Sequence, residues 1–176
     1  MKKAMIVNVS SIIKETGAKI DIEGQVSMSD TEFLGEYRFK TPLIVSGSIS
    51  NNGKSLVLRA NAEGQMITAC ARCMKEITIP VSFEIEEGLL KKGSVTDEEL
   101  EGDEDAVVFT DDDVLMDDIV RDNFIMKVPG KYLCSEDCRG LCPVCGADLN
   151  EGECGCDKEQ IDPRWASLLD IMKNNE

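Results

Sequence analysis

The sequence contains no histidine among its 176 residues, and this absence excludes several kinds of site. Neither a Ser-His-Asp nor a Cys-His catalytic set can form without an imidazole, and any metal site must draw on other ligands. The chain also has no phosphate-binding glycine loop. Aromatic residues make up only 5% of the chain, so the core must consist mainly of Ile, Val, Leu and Met. These absences argue against an enzyme.

The sequence also lacks an apolar run of membrane-spanning length. The N-terminal stretch MKKAMIVNVSSIIKETG begins with two lysines, as a signal peptide would. However, Asn8, Ser10 and Ser11 interrupt its apolar part, and no small-residue cleavage site follows. We therefore expect a cytoplasmic protein with no membrane segment. In a reducing compartment, cysteines at paired spacing favour metal binding over disulfides.

Charge is distributed unevenly within a formal net charge of −15. Residues 1–96 hold twelve Lys/Arg against eleven Asp/Glu, whereas residues 97–176 hold seven against twenty-three. The acidic half should repel nucleic acid and suit a basic partner protein. Only the first half could offer a basic face to RNA. Its candidate residues are Lys2, Lys3, Lys14, Lys19, Arg38, Lys40, Lys54 and Arg59.

Alternating apolar and polar residues predict a β-rich first half. Between Lys19 and Val26, for example, Ile20 and Ile22 alternate with Asp21 and Glu23. We predict an antiparallel sheet, or a partly closed barrel, of about five to seven strands. The strand candidates are residues 3–9, Lys19–Val26, Pro42–Ser50, Ser55–Ala60, Gly64–Ala69 and Glu76–Glu86.

Turn residues divide these strand candidates. Asn51-Asn52-Gly53 separates two of them, and an Asn-Gly pair supplies the positive-φ positions of a tight hairpin. The CARC stretch from Cys70 to Cys73 lies between the last two, so we expect it at the tip of a β-hairpin. Pro80 indicates an edge strand or a bulge, because proline has no N–H to donate in a central ladder.

An acidic stretch opens the second half. Residues 97–118 include twelve acidic residues and no basic one, which predicts a solvated linker. A docking segment for a basic partner is the alternative. Residues 107–109 are a candidate short strand within it. A helix should follow, with Asp113 or a neighbouring Asp as its cap, and should end at Pro129-Gly130.

A last helix is predicted from Asp162, with Pro163 in its first turn. Its apolar side would consist of Trp165, Leu168, Leu169 and Met172. The predicted fold class is therefore α+β, with the sheet in the first half and with helices and a zinc-knuckle segment in the second. We expect a β-rich domain in residues 1–95, an acidic linker in residues 96–112, and a helical and cysteine-rich segment in residues 113–176.

The eight cysteines occur in short pairs, and six of them lie within residues 134–156. Structural zinc takes four ligands, commonly as two Cys-x-x-Cys-like pairs. Gly146 and Gly155 supply the permissive backbone that such knuckles need. We predict that all eight thiols bind two structural zinc ions. The predicted ligands are Cys70, Cys73, Cys134, Cys138, Cys142, Cys145, Cys154 and Cys156.

The spacing permits more than one pairing of these cysteines. The most local site joins Cys142/Cys145 to Cys154/Cys156, which leaves Cys70/Cys73 to pair with Cys134/Cys138 across sixty residues. Closing that longer loop costs only about 1.8 kcal/mol more than closing the short one. Structural zinc contributes roughly 10–16 kcal/mol, so loop length does not forbid the pairing. The rival grouping places residues 134–145 in one site and joins CARC to Cys154/Cys156.

Other chemistries also use closely spaced thiols. Four thiolates also hold iron–sulfur clusters. A thioredoxin-like redox role for CARC would require a helix N-terminus in a βαβ context, and CARC lies between two strand candidates instead. A catalytic zinc keeps an open position for water, and a site with four thiolates has none. We therefore expect the zinc to be structural.

The order of these motifs resembles that of the YceD family, the large ribosomal RNA subunit accumulation proteins. The resemblance is carried by CARC after a β-rich half, then by LCSEDCRGLCPVCGADLNEGECGC, and then by DPRWASLLDIM. It implies a cytoplasmic, non-enzymatic role in synthesis, processing or stability of large-subunit ribosomal RNA. It also implies association with a pre-ribosomal particle or a ribosomal protein.

Two further hypotheses accompany this one. The protein could instead be an escort or binding module for a basic ribosomal protein, without RNA contact. Direct contact with ribosomal RNA should depend on basic residues of the first half such as Arg38, Lys40 and Arg59, whereas an escort should depend on residues 97–118. A thiol switch, in which oxidation ejects zinc, is the third hypothesis.

Overall fold

The computed structural model describes residues 4–28, 37–93 and 106–157. The helix predicted from Asp162 lies outside these residues. The chain divides into two compact units. The first comprises Met1–Ala69 and Glu76–Tyr132, and the second comprises Cys70–Lys75 and Leu133–Glu176.

The first unit is built mainly from strands. Its elements are β1 (Ile6–Asn8), β2 (Lys19–Val26), β3 (Arg38–Phe39), β4 (Leu43–Asn51), β5 (Leu56–Ala69), β6 (Glu76–Lys91), β7 (Val107–Phe109), β8 (Asp113–Leu115) and α1 (Met116–Lys127). The main sheet has the order β2-β4-β5-β6-β7, with β3 also paired to β5. Its pairs are antiparallel except β6 with β7, which is parallel. Strands β1 and β8 form a separate antiparallel pair.

This sheet is open, since β2 and β7 stand at opposite ends of its strand order and do not pair in the part of the chain that is described. The expectation of a partly closed barrel is therefore wrong. The sheet-rich first half is confirmed. The structure describes one helix beside the sheets, so the predicted α+β class is supported only as a sheet domain with a helix.

Strand β2 matches its prediction, and its buried residues Ile22 and Val26 lie on one face. Strand β5 differs, because its fourteen residues join two separate strand candidates and include residues 61–63 between them. A Cβ on Gly64 would stand 2.5 Å from Cδ2 of Leu43 on the neighbouring strand. Glycine is needed there for close packing, and it does not end the strand.

The hairpin between β4 and β5 forms as predicted, but with a longer loop than a two-residue turn. Gly53 has φ +91°, whereas Asn52 is not among the positive-φ residues, so that part of the prediction is wrong. Asn52 instead accepts backbone N–H bonds from Lys54 and Ser55 through its side-chain oxygen, at 2.9 and 2.8 Å. This Asx-type contact closes the loop. CARC likewise connects the paired strands β5 and β6.

Pro80 lies in β6 opposite Gln65 of β5. Strand β7 pairs with β6 only at Leu89–Lys91, so the other edge of β6 has no described partner at Pro80. The edge position predicted for this proline is confirmed. Further along the same strand, Nζ of Lys127 donates to the Glu84 carbonyl at 2.6 Å.

Helix α1 follows β8 without a side-chain cap, because Leu115 is the N-cap residue. The predicted capping by Asp113 is wrong. Asp113 lies in β8 opposite Asn8, whose side-chain amide donates to the Asp113 carboxylate at 2.7 Å. Two acidic residues, Asp117 and Asp118, do lie in the first turn, where they complement the helix dipole. The helix ends at Lys127, just before Pro129 as predicted.

The core of the first unit is mostly aliphatic, as the composition predicts. Phe124 of α1 is 1% exposed and makes edge-on ring contacts with three aromatic residues, Tyr37, Phe39 and Phe83, at centroid distances of 5.2–6.1 Å. Other fully buried side chains are Val9, Val26, Leu43, Val45, Ile49, Leu58, Met66, Ile85, Leu89, Val114 and Met116. Among the described residues, no helix has the length and apolar character needed to cross a membrane.

Candidate metal centres

The structure gathers the eight predicted cysteines into two groups of four, both in the second unit. Within each group every Sγ lies within 4.8 Å of the others. The first tetrad is Cys70, Cys73, Cys134 and Cys138, and the second tetrad is Cys142, Cys145, Cys154 and Cys156. These are the groups formed by the most local pairing. The rival grouping of residues 134–145 does not occur.

The sulfur positions fit a tetrahedral metal ion. In the first tetrad, Sγ of Cys70 lies 3.8 Å from Sγ of Cys138, and Sγ of Cys73 lies 3.6 Å from Sγ of Cys134. A tetrahedron with zinc–sulfur bonds of about 2.3 Å has sulfur–sulfur edges of about 3.8 Å. A disulfide would require about 2.05 Å. The thiols therefore stand at metal-ligand spacing.

The two Cys-x-x-Cys loops share one backbone pattern. In the loop that begins at Cys70, the N–H of Cys70 donates to the Lys75 carbonyl at 2.8 Å. In the loop that begins at Cys142, the N–H of Cys142 donates to the Ala147 carbonyl at the same distance. These are equivalent positions, five residues after the first cysteine. The similarity seen in the sequence therefore extends to the hydrogen bonds.

The first cysteine of each loop also accepts a backbone N–H at its sulfur. The N–H of Arg72 lies 3.5 Å from Sγ of Cys70, and the N–H of Val144 lies 3.4 Å from Sγ of Cys142. In the first tetrad, the N–H of Cys134 adds a further donor to Cys70 at 3.4 Å. Such donors stabilise thiolate, which is the form that binds metal.

The pKa values follow from these contacts. The backbone N–H of Cys73 is the main cause that lowers the pKa of Cys70 to about 6, and that of Cys145 does the same for Cys142. At Cys73 the N–H of Lys75 lowers the pKa, but burial and the neighbouring thiols outweigh it and raise the value to about 12. Hydrogen bonds thus favour the thiolate form of one cysteine in each tetrad, Cys70 and Cys142, and a bound cation would favour it further.

Cys134 and Cys156 show the same resistance to further ionisation. The pKa of Cys134 is raised chiefly by its contact with the Cys138 thiol. Contacts with the thiols of Cys145 and Cys154 raise the pKa of Cys156 to about 12. Four thiols this close cannot readily ionise together without a metal. A divalent ion would offset the negative charge of the thiolates.

Arg72 joins the separate stretches of the first tetrad. Its Nη1 donates to the carbonyl of Cys138 at 2.8 Å and approaches that of Glu136 at 3.4 Å. Its own carbonyl accepts the N–H of Leu141 at 3.2 Å. Gly140 lies against it, and a Cβ there would stand 3.0 Å from the Arg72 carbonyl oxygen. Cysteine spacing does not identify Arg72, because it gives no signal for residues that support the ligands.

Asn150 is the second residue that sequence reasoning missed. It belongs to the loop between Cys145 and Cys154, yet its side-chain nitrogen lies 3.5 Å from Sγ of Cys138 in the first tetrad. Its position in a polar DLNEGE stretch resembles an ordinary turn. Only the folded arrangement shows that it contacts a predicted ligand.

Known proteins show similarity to this chain at modest identity. An uncharacterized protein of Mycobacterium tuberculosis (strain ATCC 25618 / H37Rv) is 31% identical over 124 residues, which cover 70% of this chain. The chain spans 59% of that relative's length. The uncharacterized protein YlbN of Bacillus subtilis is 27% identical over 147 residues, which cover 83% of each chain.

A plant relative carries a functional name. The chloroplastic Large ribosomal RNA subunit accumulation protein YCED homolog 1 of Arabidopsis thaliana is 30% identical over 54 residues, which cover 31% of this chain and 17% of that protein. No solved structure matches the chain. Residues 58–172, more than half of the sequence, match the family model described as Large ribosomal RNA subunit accumulation protein YceD, and the chain therefore belongs to the YceD family.

Proposed function

We propose that this protein is a non-enzymatic cytoplasmic factor, stabilised by two zinc ions, that supports the synthesis, processing or stability of large-subunit ribosomal RNA. The family match over residues 58–172 carries this proposal, because it covers most of β5 and all of β6, α1 and both tetrads. The printed name of the Arabidopsis relative agrees with it.

Zinc is the metal that the donor set favours. Both tetrads offer four thiol sulfurs within 4.8 Å of one another and no histidine or carboxylate, which is a donor set that zinc prefers. Four thiolates fill the coordination sphere of zinc, so no position remains for a catalytic water. The ions would act by folding the second unit, to which structural zinc contributes roughly 10–16 kcal/mol per site.

A second candidate function is an escort for a basic ribosomal protein. One observation favours it. The candidate basic face of the first unit is partly neutralised, because Arg38 pairs with Glu76, and Arg59 pairs with Glu86 at 2.8 Å. Lys19 likewise contacts Asp21 at 3.3 Å. These exposed pairs reduce the local positive potential that phosphate binding requires.

An acidic groove in the same unit would suit such a partner. It has a volume of about 270 Å³ and lies among β7, β8 and the first turns of α1. Its charged lining residues are Asp113, Asp118 and Asp122, and Arg121 pairs with Asp118. Val108 and Leu115, both exposed, add apolar surface. A basic segment with apolar side chains would complement this surface.

Affinity capture of the tagged protein from cells, with and without ribonuclease, tests the proposed function. Binding to a pre-ribosomal particle predicts that large-subunit ribosomal RNA and its proteins co-purify and are lost after ribonuclease treatment. The escort function predicts one basic ribosomal protein that survives the treatment. If neither co-purifies, both functions are contradicted.

A further inference from the structure

We infer that Asn150 is a positioning residue that links the two metal centres, so that the first tetrad reaches its full zinc affinity only when the second tetrad is filled. This inference rests on the proposed zinc sites and adds a dependence of one site on the other. It concerns a side chain that ligates neither ion.

The contacts of the Asn150 side chain connect the two tetrads. Its Nδ2 donates to Sγ of Cys138 at 3.5 Å and to Oδ1 of Asp148 at 2.7 Å. Its Oδ1 accepts the backbone N–H of Arg139 at 2.8 Å. The reversed amide would direct its NH₂ group at the Arg139 N–H, so only this orientation satisfies all three partners.

A short ladder fixes the loop that carries Asn150. The N–H of Leu149 donates to the Gly140 carbonyl at 2.9 Å, and the N–H of Cys142 donates to the Ala147 carbonyl at 2.8 Å. Between them, Leu141 and Asp148 form an antiparallel bridge. Residues 147–150 therefore run beside residues 139–142, which lead from Cys138 of the first tetrad to Cys142 of the second.

The ends of this loop are ligands of the second tetrad. Residues 146–153 lie between Cys145 and Cys154, which a metal ion would hold together. The side chain of Asn150 would then contact Cys138 from a loop whose two ends are held together by the metal ion. Without that ion, the loop loses the constraint that places the donor on the sulfur. The donor described for a sulfur of the second tetrad comes from the same stretch of chain, since the N–H of Val144 lies 3.4 Å from Sγ of Cys142.

The donor matters because Cys138 is a predicted ligand. An N–H directed at a coordinated thiolate offsets part of its negative charge and fixes its orientation. Removal of comparable supporting contacts typically weakens metal affinity by about 10-fold to 100-fold.

The dependence of the first tetrad on the second also predicts the order in which the two sites bind zinc. The second tetrad, whose ligands span one short loop, should load first, and the first tetrad, whose ligands are separated by a long loop, should follow.

Zinc titration of the full-length protein against a chromophoric chelator tests this inference, because it yields one dissociation constant for each site. The double variant Cys70→Ser/Cys73→Ser identifies the constant of the second tetrad. In the intact chain, Asn150→Ala should weaken the first tetrad about 10-fold to 100-fold. It should leave the second tetrad unchanged. Glu151→Ala, an exposed neighbour in the same loop, is the matched control and should change neither constant.

Asn150→Asp tests whether the side-chain nitrogen, which donates to both Cys138 and Asp148, is required. It keeps an oxygen for the Arg139 N–H but puts an oxygen in place of the donor to Cys138. The inference predicts that this variant weakens the first tetrad as Asn150→Ala does. Full affinity in Asn150→Asp would overturn it. So would an Asn150→Ala variant that retains wild-type affinity, or one that weakens the second tetrad equally when Cys70 and Cys73 are replaced.

A second, independent test removes zinc from the second tetrad and measures the zinc affinity of the first. Cys154→Ser should weaken zinc binding at the first tetrad by a factor similar to that of Asn150→Ala, although Cys154 belongs to the other site. Unchanged affinity at the first tetrad would overturn the link. A wild-type protein that binds fewer than two zinc ions would instead contradict the proposed metal centres, so the two failures are distinguishable.

Discussion

Met74 and Gly146 occupy equivalent positions in the two cysteine loops. Each lies four residues after the first cysteine and donates its N–H to that cysteine's carbonyl at 2.9 Å. Both have positive φ, +60° for Met74 and +75° for Gly146. Glycine adopts this left-handed conformation freely, whereas the same conformation costs a residue with a side chain roughly 1–2 kcal/mol. The first loop therefore carries strain that the second avoids.

Met74→Gly should stabilise the zinc-loaded second unit by about 0.5–1 kcal/mol, because relief of the left-handed strain exceeds the extra chain entropy of glycine. The Met74 side chain is 66% exposed, so little packing is lost. Zinc release during urea unfolding measures the change. Met74→Ala, which keeps the strain, should give no gain, and Gly146→Ala should destabilise the unit. A less stable Met74→Gly variant would contradict the strain argument.

Zinc removal should unfold the second unit and leave the sheet folded. We expect a chelator to abolish order in residues 133–157 and Cys142→Ser to abolish it in residues 142–157, because these segments have few buried apolar side chains apart from their cysteines. Hydrogen exchange measures the outcome, with slow amides retained in β4 and β5. Ser135→Ala is the control and should keep both units. If the sheet amides lose protection together with the tail, the units do not fold independently.

Phe124→Ala should cost the first unit about 3–5 kcal/mol, since the change removes a fully buried ring that contacts three other aromatic residues. The neighbouring Ile125 is 42% exposed, so Ile125→Ala should cost less than about 1 kcal/mol. Urea denaturation followed by far-UV circular dichroism gives both values. Equal losses would mean that α1 does not stabilise the sheet through Phe124.

Charge variants distinguish the two candidate functions. The escort function predicts that Asp113→Asn/Asp118→Asn/Asp122→Asn weakens capture of a basic ribosomal protein, because these carboxylates line the groove. Arg38→Ala/Arg59→Ala should then have no effect. Direct RNA contact predicts the opposite pattern, with a smaller salt dependence of RNA binding in the arginine variant. Quantified co-purification at two salt concentrations separates these outcomes.

Short-range sequence patterns predicted the elements whose conformation depends mainly on residues close in the sequence. Strand β2 follows from alternation in the sequence, and the hairpin after Asn51 follows from its turn residues. The long strand β5 was divided wrongly, because the pairing of residues 61–63 with β4 and β6 joins segments that are distant in the sequence. The helix cap was also missed, since the pairing of Asp113 with Asn8 joins residues 105 positions apart.

For the cysteines too, spacing in the sequence identifies the candidate ligands, whereas contacts between distant segments determine their grouping. Their spacing identified all eight candidate ligands and left two groupings open. The choice depends on contacts between distant segments, such as Arg72 Nη1 to the Cys138 carbonyl. No sequence pattern marks Arg72 or Asn150 as supports for sulfur ligands. The helix predicted from Asp162 stays a prediction.

The ratio of large-subunit to small-subunit ribosomal RNA in cells that lack this protein tests the central claim most directly. We predict that the ratio falls in the deletion strain and returns when the wild-type chain is expressed. The Cys142→Ser chain should restore it poorly, because the part of its second unit around the second tetrad would not fold. An unchanged ratio in the deletion strain, with normal large-subunit particles in a sucrose gradient, would contradict the account.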